Sequence, residues 1–171
     1  MDEFRAATES FRGAMRRAVA TIASLDDAAW TAGAGRDRLC DVVEHMAISN
    51  GLFRGRIAKI AGDPQRDAPY ALLEDGEIAH LFERADEPPG VAEPTGTWTD
   101  RATALEAFKG SGDALAETAA GAQTNMRLRG ARHPLFGPMD GVQWMLFASA
   151  HTERHRSDII GRLAKLNAAS T

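Results

Sequence analysis

The sequence predicts an all-α fold, a four-helix bundle with a long loop between helices two and three that carries at most one short helix. Three observations predict it. Apolar residues recur at steps of three and four over long stretches, no stretch alternates in the manner of a strand, and the composition is rich in alanine with only 6% aromatic residues. At 171 residues the chain has the length of one domain, spanning 1–171, and can bury a core without disulfides.

The first helix follows from Phe4, Ala7, Phe11, Met15, Ala18, Ile22 and Leu25, which trace one stripe. Asp26-Asp27 and then 31–36, with two glycines, break it. A second helical run extends from about Asp37 through Ile60 and is stopped by Gly62 and Pro64. Segment 62–97 holds Pro64, Pro88 and Pro89 and reads as a long excursion with a short helix near 72–84. The third helix is expected from Thr99 or Asp100 to about Ala122, with Gly110 and Gly112 weakening its middle. Segment 127–139, with Pro134 and Pro138, reads as a loop. Asp140 then stands as an N-cap, with Gln143 completing a capping box, and the fourth helix continues to about Asn167.

The formal charge of -4 arises from interspersed signs, so no broad basic surface is available to track a nucleic acid. Arg127, Arg129 and Arg132 form a local basic group that suits a solvated loop as well as an anion site. Cys40 is the single cysteine, which excludes an internal disulfide and fits a reducing compartment. The opening residues are charged, without the apolar centre of a signal peptide, and no run suffices to span a bilayer. A cytoplasmic protein without membrane or nucleic-acid partners is expected.

His151 and His155 are four residues apart on the apolar stripe of the fourth helix, so both imidazoles project from one face. Two imidazoles in an apolar setting need partners for their ring nitrogens, and a metal ion supplies one to each. His45 lies among Val42, Val43, Met46 and Ile48 on the second helix and offers a third donor. The same pattern also suits hydrogen-bonded core histidines, and spacing alone leaves both readings open. His80 and His133 fall in less regular segments and are not assigned as ligands. Glu153 does not directly follow the first histidine, as the base of a zinc protease would, and two helical residues turn it nearly to the opposite face. No Glu-x-x-His pair accompanies the histidines, which argues against a di-iron bundle.

The segment His133-Pro-Leu-Phe-Gly-Pro-Met-Asp-Gly-Val-Gln-Trp144-Met-Leu-Phe-Ala-Ser-Ala-His151-Thr-Glu-Arg-His155 resembles the closing motif of the DinB-like family, as does Leu39-Cys-Asp-Val-Val-Glu-His45-Met on the second helix. The resemblance implies a bundle that holds one divalent metal ion through His45, His151 and His155, nickel or zinc ahead of iron or manganese. The family includes thiol-dependent transferases, a mycothiol-dependent isomerase branch and hydrolases, no motif here selects among them, and the expected activity is a thiol-dependent transferase acting on a small molecule with a low-molecular-weight thiol. A metal-dependent hydrolase and a non-catalytic, stress-associated metal-binding bundle are the alternatives, and a homodimer is compatible with each. No catalytic acid or base is assigned. Asp41, Ser49 and Asp158 stand where they can orient the imidazoles, and Trp144 and Phe147 can pack the core or wall an apolar pocket.

Overall fold

The computed structural model describes residues 2–33, 38–67, 70–81, 92–122 and 124–169. The chain is mostly helical. Helix α1 (Asp2–Ala23) buries the predicted stripe from Phe4 to Ile22, and Leu25 is buried just beyond its end. A short helix that the sequence reading missed, α2 (Asp27–Thr31), follows at once: Asp26 caps it by accepting the Ala29 N–H at 2.7 Å, and Trp30 is buried. The two aspartates that break the first stripe thus also start a new turn.

Helix α3 (Leu39–Gly62) agrees with the predicted second helix, whose expected first turn falls partly on residues 34–37, outside the described residues. Of the short helix expected near 72–84, the structure shows α4 (Asp75–Ile78), with Ile78 and Leu81 buried. Residues 82–91, which include the second proline group, lie outside the described residues. Helix α5 (Arg101–Ala120) begins at Asp100, whose carboxylate accepts the Thr103 N–H at 2.8 Å. Helix α6 (Gly141–Ala169) is the longest.

Helix α1 packs against α6 and α5, and α3 packs against the same two helices from the other side. Gly112 leaves room for the Met15 side chain between α1 and α5: a Cβ there would lie 2.2 Å from the Met15 methyl carbon. The buried amide of Asn50 ties α3 to α5 by donating to the Ser111 hydroxyl at 3.0 Å. With neighbours on two sides, α3 buries residues nearly all round its first two turns, so its sequence there reads as an apolar run rather than a stripe.

The expected loop 127–139 is corrected by the structure, and with it the all-α reading. A 3₁₀ turn (Met126–Leu128) leads into an antiparallel hairpin of β1 (Gly130–His133) and β2 (Gly137–Asp140), in which Ala131 pairs with Met139 and Arg132 with Pro138. Four-residue strands are too short to display alternation, and Pro138 is tolerated because a two-stranded ribbon is all edge. Gly137, at φ 81°, turns the chain back, and Gly130 is needed because a Cβ would meet the Met139 carbonyl oxygen at 2.4 Å. The hairpin buries Ala131 and Met139 and accepts the Trp144 indole N–H at the Ala131 carbonyl.

Asp140 caps α6 as expected, accepting the Gln143 N–H at 2.8 Å. The Gln143 side chain does not complete a capping box; it donates to the Leu73 carbonyl at 2.6 Å and to Asp75 at 3.3 Å. Two of the three expected loop arginines are structural. Arg127 donates to Glu3 at 2.8 Å, to Asp75 through both terminal nitrogens and to Asp140 at 3.1 Å, so one guanidinium joins α1, α4 and the start of α6. Arg129 donates to the carbonyls of Ala61 and Asp63 at the end of α3. Arg132 is exposed. Among the described residues no helix is long and apolar enough to cross a membrane.

Arg127 holds the Asp75 carboxyl below the ordinary carboxylate range, whereas burial raises that of Asp140. A depressed carboxyl contributes stability above its unfolded pKa of about 3.9 and loses it as pH falls through the folded value. Arg127→Ala removes that contribution and leaves the buried Asp140 charge uncompensated. The variant is therefore expected to be less stable at pH 7 by about 1–3 kcal/mol in urea unfolding, and the gap should narrow only as pH falls below the ordinary carboxylate range, through the depressed Asp75 value. A gap independent of pH would contradict this.

Candidate metal centre

The packing of α3 on α6 brings together the three histidines singled out in the sequence. His45 Nε2 lies 3.2 Å from His151 Nε2, and the ring of His155 lies 4.5 Å from that of His151 and 4.8 Å from that of His45. One nitrogen from each ring falls in a group whose members all lie within 4.8 Å of one another. His151 is buried, and His45 and His155 are half-buried. His80 is exposed.

The donor set fits a metal ion. Two imidazoles bound at about 2.0–2.1 Å with a tetrahedral to right-angled separation place their nitrogens about 2.8–3.4 Å apart, and the His45–His151 distance falls within that span. The wider spread of the full group would narrow on closing around an ion. Neutral imidazole suits zinc, nickel and iron alike, so the donors do not select one.

The outer nitrogens are oriented in two different ways. His155 Nδ1 stands 3.3 Å from the Asp158 carboxylate, one turn further along α6, as the sequence allowed, and this contact holds Asp158 below the ordinary carboxylate range. His45 Nδ1 instead donates to the Ala92 carbonyl at 2.9 Å, which fixes Nδ1 as the protonated nitrogen and leaves Nε2 to face His151. Asp41, the aspartate expected to serve His45, is taken by Arg38, which grips both carboxylate oxygens at 2.7 and 2.8 Å. Ser49 is buried on the same helix.

Ala92 begins a strap, 92–98, that the sequence reading treated only as loop. Its φ of 52° is left-handed, a conformation that costs a non-glycine residue about 1–3 kcal/mol unless its surroundings impose it. The surroundings are supplied by Glu44, the buried residue immediately before His45. One Glu44 oxygen accepts from the Thr95 N–H at 3.0 Å and the Thr95 hydroxyl at 2.5 Å, and the other accepts from the Gly96 N–H at 3.0 Å. Arg38 donates to the Gly96 carbonyl at 3.3 Å, and Trp30 donates to that of Trp98 at 3.2 Å. The one sequence signal was a carboxylate set in the apolar run Val42-Val43-Glu44-His45-Met46.

The remaining residues sort clearly. Glu153 accepts from Arg17 at 2.6 Å and from Arg156 at 2.8 Å, turned toward α1 and away from the histidines as the helical rotation implies. Trp144 and Phe147 are buried in an aromatic cluster with Phe53, His133 and Phe136, the packing role for that pair. His133 accepts the Leu135 and Phe136 N–H groups at Nδ1 and stacks on Phe136 at 4.6 Å, which makes it a brace of the hairpin turn. Phe53 links this cluster to the site, edge-on to His151 at 5.4 Å. Cys40 is buried, and burial pushes its thiol up, away from reactivity.

Fold and site together define a helical domain with a three-histidine group on two of its long helices, able to receive a metal ion. The model of the DinB superfamily matches residues 10–159, and the chain belongs to that superfamily. No curated protein and no solved structure matches the chain.

Gly96, at φ 75° with Arg38 Nη2 only 3.0 Å from a would-be Cβ, tests the strap directly. Gly96→Ala is expected to cost about 1–2 kcal/mol and to speed hydrogen exchange at the Thr95 and Gly96 amides. Unchanged protection at those amides would count against a pinned strap.

Proposed function

We propose that this chain adopts the four-helix bundle of its superfamily and works as a thiol-dependent transferase, with His45, His151 and His155 holding one divalent metal ion, nickel or zinc. The observation that carries the reading is the 3.2 Å approach of His45 Nε2 to His151 Nε2, with His155 beside them and the outer nitrogens of His45 and His155 held by Ala92 and Asp158. Three protein donors leave open coordination positions, the pattern of catalytic rather than structural centres.

When bound, the ion would lower the pKa of a coordinated thiol toward neutrality, so that thiolate is present at physiological pH. The chain supplies the rest. His45 and His155 present Nε2 inward because their Nδ1 atoms are engaged, and the buried His151 between Phe53 and the other rings limits water on that side. Among the described residues, Glu44 is bonded to the strap, Asp41 to Arg38, Glu153 to Arg17 and Arg156, and Asp158 stands against His155. A thiol ionises more readily than water and so depends less on a general base.

Protein loaded with nickel or zinc and given a low-molecular-weight thiol with a generic electrophile is expected to form conjugate, followed by mass spectrometry. Ester or amide cleavage without thiol would identify a hydrolase instead, and no turnover with any thiol and metal would identify a non-catalytic metal-binding bundle. Elemental analysis should find about one metal per chain in the native protein and at least tenfold weaker retention in His151→Ala and His155→Ala; equal metal in all three would refute ligation. Because imidazole must be neutral to bind, the metal should be released on acidification as protons compete for the imidazole nitrogens.

A further inference from the structure

We propose that Glu44 is a positioning residue for the metal centre: its buried carboxylate pins strap 92–98 so that the Ala92 carbonyl holds His45 with Nε2 toward His151. The inference rests on the metal-site reading above and adds to it a residue that does not touch the ion.

The chain of contacts is continuous. Glu44 and His45 are neighbours on α3, so their side chains diverge by about 100° around the helix and cannot serve each other directly. They are coupled instead through the strap, which Glu44 grips at Thr95 and Gly96 while His45 bonds to Ala92 a few residues earlier. All three bonds to Glu44 come from the strap and Glu44 is 2% exposed, so loosening the strap would strip a buried carboxylate of these partners. That cost is what imposes the left-handed backbone at Ala92, and the Ala92 carbonyl in turn selects one of the two His45 tautomers. Ala92 is buried and Trp98 packs against the core at the ends of the strap, whereas Thr95 between them is exposed, so the middle of the strap depends on these polar bonds.

Glu44→Gln keeps the shape but turns one acceptor into an NH₂ donor, facing either the Gly96 N–H or the Thr95 N–H. Thr95→Val removes a hydroxyl from an exposed position and spares the fold. The test reads His45 in two ways. In metal-free protein, ¹⁵N-detected imidazole spectra should show a single Nδ1–H tautomer for His45 in the wild type and a mixture in Glu44→Gln, with Thr95→Val between them. In cobalt-loaded protein, the dissociation constant should rise about 10- to 100-fold in Glu44→Gln, with an altered visible d–d spectrum. Arg127→Ala serves as the control for general loosening: it should lower thermal stability and leave the His45 tautomer unchanged. A single tautomer and wild-type cobalt affinity in both strap variants would overturn the proposal. If wild-type protein binds no cobalt, the metal-site reading fails, and the metal-free tautomer spectra still decide whether Glu44 sets His45.

Discussion

Two imidazole nitrogens, from His45 and His151, approach to 3.2 Å across the seam between α3 and α6, and much of the structure serves to keep that seam in register. A shift of one helical residue would carry either histidine about 100° away from the other. The seam is secured at several levels. Phe53 on α3 packs against Trp144 and Phe147 on α6, the hairpin braces that cluster through His133 and the Trp144 indole, and Arg129 of the hairpin lead-in holds the end of α3. On the far side, Gly112 and Asn50 set the approach of α5 to α1 and α3.

The polar groups divide into those that staple the helices and those that aim the histidines. Arg127, with carboxylates of Glu3, Asp75 and Asp140, belongs to the first kind and lies at the start of α6. Asp158 and Ala92 belong to the second. A carboxylate behind His155 makes its inner nitrogen a stronger donor than the neutral carbonyl does for His45, so the three imidazoles are not equivalent.

The long helices and the His151–His155 pair were legible because both depend on local spacing, whereas His45, on another helix, was joined to them by its apolar setting and the family resemblance. The stripe from Phe4 to Ile22 and the four-residue interval of His151 and His155 need no tertiary information. The hairpin was not legible, since strands of four residues with a proline lack a periodic signal and form by pairing with each other and packing against α6, with Tyr70 close to Gly130. Nor were the partners of His45 and Gln143, whose side-chain bonds span 47 and 70 residues of sequence to reach backbone carbonyls. Asp41 was the local candidate for His45 and lost to a partner three residues away, Arg38, whose bidentate grip leaves the imidazole to the strap.

The most direct test of the account is X-ray absorption at the metal edge of reconstituted protein. Fine structure should show three imidazole nitrogens at about 2.0–2.1 Å together with at least one further light-atom ligand, and exogenous thiol should replace that ligand with a sulfur scatterer at about 2.3 Å. Two or fewer imidazoles, or a saturated shell indifferent to thiol, would contradict an open three-histidine centre.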